Sequence, residues 1–325
     1  MSVPLEAIRR ARDLIAGVAI RTPLVRLAPG SFGAADGPEI WLKLETLQPI
    51  GSFKIRGAAA AIRDTAPEAL RGGVLTASAG NMAQGVAWVA RESGVACTVI
   101  VPEGAARTKL DAIERLGGKI VKAPFDRWWQ TFRDRSFPGV EGLFVHAFDD
   151  DRVIAGNGTI GLEILEDLPD VDAVVVPWGG GGLACGIASA LRALRPACRV
   201  YGAEVATGAP LSAAFAAGAP REVDWKASFV DGLGSREMMP SMWARAKGLL
   251  DGSIVTSLAE TAEAVRVLAL RARVVAEGAG AAAVAAAASG RAGTGAGVRK
   301  IVAIVSGGNI DAARLATLLQ GGVPD

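Results

Sequence analysis

The chain is poor in several residue types, and each shortage excludes a class of function. It has one histidine, His146, and three cysteines, Cys97, Cys185 and Cys198, none of them in a CxxC pair. A histidine-rich zinc site and a disulfide framework are therefore excluded, and a Ser-His-Asp triad would have to be built on that single histidine. Charge of neither sign dominates: 35 Lys and Arg face 33 Asp and Glu. A dedicated nucleic-acid binder would instead show a strongly basic face. Half of the residues are hydrophobic, yet no uninterrupted apolar run is long enough to cross a bilayer. The N-terminus lacks the basic and apolar regions of a signal peptide. A soluble, cytoplasmic protein with no membrane partner is expected. Lysine is scarce too, with eight against 27 arginines, so a lysine for covalent chemistry comes from a short list.

What is present is an alternation of short β-branched runs with longer helical segments, the pattern of α/β architecture with parallel sheets. The length of 325 residues suits one large domain or two intimate ones. Strands are predicted at Glu39–Leu44, Gly73–Thr76, Cys97–Val101, Asp172–Pro177, Cys198–Glu204 and Lys300–Val305. Helices are predicted at Pro4–Ala16, Phe53–Asp64, Asn81–Glu92, Ala106–Leu116, Ile154–Leu168, Leu183–Leu194, Leu258–Ala276 and Ala279–Ala288. Asp126–Gly142 breaks the alternation. With Trp128, Trp129, Phe132 and Phe137 it reads as a packed Ω-type loop or part of a site. Gly290–Gly297 reads as a loop before the last strand.

Four segments could carry chemistry. Gly179-Gly180-Gly181-Gly182 directly follows an apolar strand and opens a helix. Such glycines turn backbone N–H groups inward and the helix N-terminus adds partial positive charge, so a phosphate is the natural ligand. An empty tight turn would give the same pattern. A dinucleotide fingerprint fits poorly, being normally an early turn with an acidic residue after the next strand, although Glu204 does lie 22 residues past Gly182. No Gly-Lys-Ser/Thr follows, which excludes a Walker loop. In Gly51–Ala58, Lys54 stands just inside a helix start beside Arg56. A helix N-terminus and a neighbouring cation lower an amine's pKa, and a neutral amine can form a Schiff base; a lone lysine there is also commonly just solvated. Thr76–Gly85 offers hydroxyls, backbone N–H groups, Asn81 and Gln84 for a carboxylate, or an N-cap by Ser78 or Asn81. Ser306, closing the last strand, would donate to a ring nitrogen or satisfy a turn.

Taken in order, Lys43–Pro49, Gly51–Gly57, Ser78–Gly85, Val145–Asp150, Ala155–Glu163, Val175–Leu183, Asp231-Gly232, Glu277–Ala281 and Ser306–Asp311 carry a resemblance over nearly the whole chain. The sequence resembles the fold-type II pyridoxal-phosphate enzymes of the threonine/serine dehydratase and serine racemase group. That resemblance implies a tryptophan synthase β-like α/β fold of two domains, each a mostly parallel sheet covered by helices. Residues 1–47 and 150–325 would form the large cofactor domain, and 48–149 the small substrate domain. It further implies pyridoxal 5'-phosphate as cofactor and a homodimer. Lys54 would carry the cofactor as a Schiff base and later take the Cα proton. Gly179, Gly180, Gly181 and Gly182 would cradle its phosphate, Phe53 would stack on the ring, Asn81 would bond the 3-oxygen and Ser306 would face the ring nitrogen. Ser78, Ala79, Gly80, Asn81, Met82 and Gln84 would line the carboxylate pocket, with Ser78 also catalytic, and Ser235, Trp128 and Trp129 would complete the substrate site.

The implied reaction is α,β-elimination of water from a 3-hydroxy-L-amino acid, giving a 2-oxo acid and ammonia. A neutral Ser306 cannot protonate the ring, so the ring is a weaker electron sink and prompt elimination is favoured. Racemases of the group place a second Ser where this chain has Ala79, which cannot transfer a proton; a racemase or a cysteine-synthase-like β-replacement enzyme is the alternative. Glu204 matches one ligand of the group's divalent-cation site, but the Asp position falls on Pro210, so no metal is expected. Met82 replaces the usual His. Trp128 and Trp129 are expected to wall the substrate's side chain, which adds phenylserine to threonine and serine, or else to pack into the domain. His146 ahead of Asp149-Asp150-Asp151 reads as settling a loop, the acidic trio as a solvated turn and Cys185 as core. The chain ends soon after Asp311, which points to a short catabolic form rather than a feedback-controlled one.

Overall fold

The apolar runs pair into two separate sheets. The computed structural model describes residues 2–33, 37–293 and 297–324; residues 294–296 of the expected Gly290–Gly297 loop lie outside them. In chain order the strands are β1 (Leu24–Arg26), β2 (Glu39–Leu44), β3 (Val74–Ala77), β4 (Cys97–Pro102), β5 (Lys119–Ala123), β6 (Leu143–Phe144), β7 (Ala173–Pro177), β8 (Arg199–Val205), β9 (Gly252–Thr256) and β10 (Lys300–Val305). The larger sheet runs β1-β2-β10-β7-β8-β9 and the smaller β5-β4-β3-β6. Every pairing is parallel except that of β1 with β2. The chain leaves the larger sheet after β2, builds the smaller one, and returns at β7. This is the expected two-domain α/β architecture. β7 is buried at every position, because parallel strands are covered by crossover helices on both faces. No described helix is long and apolar enough to cross a membrane.

Several elements differ from expectation. The first part of Asp126–Gly142 is a helix, Phe125–Asp134, in which Phe125, Trp128, Trp129 and Phe132 recur at helical spacing and form one aromatic face. Leu258–Ala276 is a helix only to Val267, followed by a single π turn over Leu268–Ala272. Helices Pro210–Ala217, Pro240–Leu249 and Ala312–Leu319 and strands β1, β5, β6 and β9 were not predicted.

The helix Lys54–Arg63 lies between helices Asn81–Glu92 and Asp151–Asp167. A Cβ added at Gly57 would sit 2.7 Å from Val153 Cγ1, and one at Gly156 would sit 2.4 Å from the Arg56 carbonyl oxygen. Glycine is required at both crossings for the helices to approach this closely. Beneath them a neutral cluster of two cations and two carboxylates is sealed from water. Arg56 grips Glu45 with Nε and Nη2 at 2.9 Å and Glu163 with Nη1 and Nη2 at 2.6 and 2.9 Å. Lys43 Nζ closes the set on Glu163 at 2.6 Å and on the Thr22 carbonyl oxygen. Burial alone would raise the Glu45 carboxyl, but Arg56 beside it holds it below the ordinary carboxylate range. Cys185 is buried as expected.

Removing the arginine strands the buried Glu45 carboxylate and leaves Glu163 to Lys43 alone. Arg56→Leu is expected to cost about 3–5 kcal/mol in urea unfolding, whereas Arg107→Ala, which breaks the exposed pair with Asp111, should cost within about 0.5 kcal/mol. Equal losses for the two variants would contradict the buried cluster.

Candidate active site

Open α/β sheets bind ligands outside the carboxyl ends of their strands, and the predicted site residues lie at such ends in both sheets. β3 runs into Ser78–Gly80 and the helix Asn81–Glu92, β7 into Trp178 and Gly179–Gly182, and β10 into Ser306 and Gly307. The segment after β6 brings Ala147 and Phe148 to the same place.

Lys54 is the first residue of its helix, with Phe53 at the N-cap position and no side-chain cap. Its Nζ donates to the carbonyl oxygen of Ala147 at 2.7 Å and stands 5.1 Å from the centre of the Phe53 ring. Burial pushes this amine down to about 8, against an opposing pull from Glu277. The lowered amine was expected, but the cause assigned to Arg56 is corrected. Arg56 faces the opposite way, and its charge is spent on Glu45 and Glu163.

The four glycines form a loop that side chains would fill. A Cβ at Gly180 would fall 2.1 Å from the Phe148 ring, one at Gly181 2.4 Å from Trp178, and one at Gly182 2.7 Å from the Phe148 carbonyl oxygen. Gly181 also has φ +91°, a conformation only glycine adopts freely. The helix Gly182–Leu194 starts here without a side-chain cap, which leaves its first N–H groups open to an anion.

Asn81 is held at both ends. Its Nδ2 donates to Glu277 Oε1 at 2.7 Å, and its Oδ1 accepts from Asn309 Nδ2 at 2.8 Å. Neither it nor Ser78 caps the helix Asn81–Glu92; Ser78 Oγ accepts from Gly80 N at 3.1 Å instead. Burial pushes the Glu277 carboxyl up to about 7, opposed by the Asn81 hydrogen bond. Glu277 and Asn309 appeared in the matched motifs but were given no site role. The signal for Glu277 was its isolation, because no other charged residue occurs between Arg273 and Arg291.

Ser306 is buried at the end of β10, and its carbonyl oxygen accepts from Phe53 N at 3.0 Å, so the two residues expected to face the cofactor ring are joined. Ser52 is bridged to Gly307, and its Oγ is buried with no partner among the described residues. Ala79, Gly80 and Gln84 are half-buried at the turn, and Met82 is buried. Trp128 Nε1 donates to the Ile100 carbonyl oxygen at 3.2 Å, the same oxygen that accepts Ser78 N at 3.1 Å. The indole is thereby placed beside the Ser78 turn. Trp129 packs on Trp128 and Phe132.

Ser235 and Glu204 make local contacts, and one expectation changes. Ser235 donates to the Glu237 carbonyl oxygen and lies beside Gly208, and none of its described contacts reaches Lys54 or the glycines. Glu204 accepts from Leu211 N, Ser212 N and Ser253 Oγ, so it caps the helix Pro210–Ala217. The acidic trio is no solvated turn: Asp149 is buried against Arg135 and Ser241, Asp150 caps the helix Asp151–Asp167, and Asp151 pairs with Arg245.

A family model described as pyridoxal-phosphate dependent enzyme matches residues 15–307. An L-threonine ammonia-lyase of Thermotoga maritima is 37% identical over 99% of this chain and 79% of its own. Maize serine racemase superposes with a TM-score of 0.90 at 30% identity, covering 98% of each chain. The processed threonine deaminase isoform 2 of Solanum lycopersicum gives 0.85 at 30% identity, covering 98% of this chain and 94% of that one. With a burial-lowered lysine, a glycine loop and a helix start converging as they do here, these matches establish that the chain belongs to the pyridoxal-phosphate-dependent enzyme family.

Proposed function

We propose that this enzyme is an ammonia-lyase that eliminates water from a 3-hydroxy-L-amino acid, yielding a 2-oxo acid and ammonia. The observation that carries the reading is the Lys54 amine, lowered by burial and held on the Ala147 carbonyl oxygen between the glycine loop and Asn81. The residues fit the cofactor. The glycine loop and its uncapped helix start offer N–H groups that would hold its phosphate, Phe53 offers a ring face, and Asn81 and Ser306 would flank the pyridine ring. Bound, pyridoxal phosphate supplies an electron sink that acidifies the substrate's Cα–H.

Everything else falls to the chain. A neutral Lys54 amine would hold the cofactor, and as a free amine it would take the Cα proton. The Ala147 carbonyl oxygen is the acceptor that holds the freed amine close by. The uncapped start of the helix Asn81–Glu92, with Ser78 Oγ and Gln84, receives the substrate carboxylate. Asn81 is oriented by Glu277 and Asn309. Racemisation needs a second group to return a proton to the opposite face, and the methyl of Ala79 cannot hold one.

Phenylserine belongs among the substrates beside threonine and serine, a reading supported by the Ile100 carbonyl oxygen that Trp128 and Ser78 share. Trp128→Ala should lower kcat/KM for threo-phenylserine by about tenfold or more while changing that for threonine by less than about threefold. Equal losses would return Trp128 to packing.

The sheet membership of the strands supports residues 1–47 with 150–325 as the cofactor domain and 48–149 as the substrate domain. A homodimer is supported by exposed Ile20, Leu47 and Val275 on segments that meet. Ile20 N donates to Gln48 Oε1, and both Thr46 and the Val275 carbonyl lie against Gly308. Leu47→Glu should shift the sedimenting species toward the monomer; an unchanged distribution would place the contact elsewhere.

Because Lys54 is lowered to about 8, its neutral fraction climbs as pH rises. Attachment of pyridoxal phosphate to apoenzyme should therefore accelerate about tenfold between pH ~7 and ~9. The Glu277 carboxylate favours the ammonium form, so Glu277→Gln should move this midpoint downward. A midpoint near an exposed lysine's value, or one raised by Glu277→Gln, would refute the account.

A further inference from the structure

We infer that His146 is a positioning residue for Lys54: its imidazole folds the turn after β6 so that one face of the turn receives the lysine amine while the other backs the glycine loop. This rests on the reading of Lys54 as the reacting amine. His146 is fully buried, and its Nδ1 accepts two backbone hydrogens, from Phe148 N at 3.2 Å and Asp149 N at 2.8 Å. A nitrogen that accepts carries no proton, so the neutral ring bears its proton on Nε2. The ring is caged by Phe132, Phe144 and Phe148 at centroid distances of 5.5, 6.0 and 4.6 Å. Burial pushes the imidazole down to about 4; Arg135 and Lys54 act the same way, and Asp149 and Asp150 oppose. It stays an acceptor throughout the neutral range.

Ala147 sits between the imidazole and the two N–H groups that the imidazole ties down. Its carbonyl oxygen is the one that takes Lys54 Nζ at 2.7 Å. The next residue, Phe148, is the one that a Cβ at Gly180 or Gly182 would strike. A single turn thus fixes the separation between the amine and the phosphate loop. Its far end is anchored separately, by Asp149 on Arg135 and Ser241 and by Asp150 at the following helix start. A side-chain acceptor bonded to the N–H groups two and three residues ahead is the arrangement that Asn and Asp also make. The inference therefore predicts a particular rescue.

His146→Asn keeps the acceptor, whereas His146→Leu keeps bulk without it. The Asn variant should retain kcat within about threefold of the parent, and the Leu variant should lose about tenfold or more in kcat with KM within about threefold. The pH midpoint of the bound cofactor's absorbance should move in the Leu variant and not in the Asn variant. Parent-like kcat and midpoint in the Leu variant, or equal losses in both variants, would overturn the inference. Should the Leu variant not fold, the single histidine allows a direct reading, because 15N-histidine labelling gives the two ring-nitrogen signals of one imidazole. It should show the Nε2–H tautomer without titration from about pH 5.5 to 9. A proton on Nδ1, or a midpoint in that range, sinks the idea. Ammonia release retained by Lys54→Ala would instead remove Lys54 as the reacting amine, and a parent enzyme that releases no ammonia from any 3-hydroxy amino acid would remove the lyase reading, each leaving the imidazole result standing.

Discussion

The site depends on a helix pressed between two others more closely than ordinary side chains permit. Half of Lys54–Arg63 is Ala and Gly, and glycines line its contacts on two sides: its own Gly57 and the facing Gly156 against the helix Asp151–Asp167, and Gly85 of the helix Asn81–Glu92 against the backbone of Lys54. Such an approach fixes translation but leaves rotation to be set. Residues two apart on an α-helix point roughly 200° away from each other. Sinking Arg56 into the Glu45–Glu163 pair therefore turns Lys54 toward the cleft. The buried ion cluster serves as a rotational lock for the amine, consistent with buried ionic groups that specify an arrangement rather than add stability.

Once in place, Lys54 and Glu277 are brought toward neutrality from opposite sides. Burial disfavours both charged forms, lowering the amine to about 8 and raising the carboxyl to about 7. Each charge, when formed, steadies the other. Glu277 also receives the Asn81 amide, and Asn309, tied to the Ile50 carbonyl, holds its other end. The orientation of Asn81 is thus settled before any ligand arrives, which is what preorganisation requires. The cost is a carboxyl buried beside a lysine, and the pairing keeps that cost tolerable.

What the sequence disclosed and what it hid follow from burial and position. The central strands were legible because they are continuous apolar runs. All four unpredicted strands, β1, β5, β6 and β9, lie at sheet edges, where sequences carry charge or are short; β5 reads Lys-Ile-Val-Lys-Ala. The glycine loop and Lys54 were legible because their chemistry demands unusual residues at strand ends. Trp128 and Trp129 were placed beside the substrate turn but assigned to a loop, since four aromatics outweighed their helical spacing. Arg56 was misread because it is two residues from Lys54 in sequence and on the other face of the helix. Glu277 was overlooked as a site residue because its partner, Asn81, lies 196 positions away, a separation no local pattern spans.

Overall shape does not choose among the reactions of this family, because the same backbone superposes on a serine racemase and on a threonine deaminase at 30% identity. The choice falls to atoms that can hold a proton. Racemisation must remove a proton from one face of Cα and return it to the other, so it needs two such groups with matched acidities. Elimination needs a base at Cα and a proton for the departing oxygen. The turn that follows β3 offers one hydroxyl, on Ser78, already accepting from Gly80 N, and then the methyl of Ala79. Lys54 is the proposed base. With Lys54 as the proposed base, Ala79 unable to return a proton and a neutral hydroxyl at Ser306, the proposed site would lose its β-substituent sooner than it reprotonates.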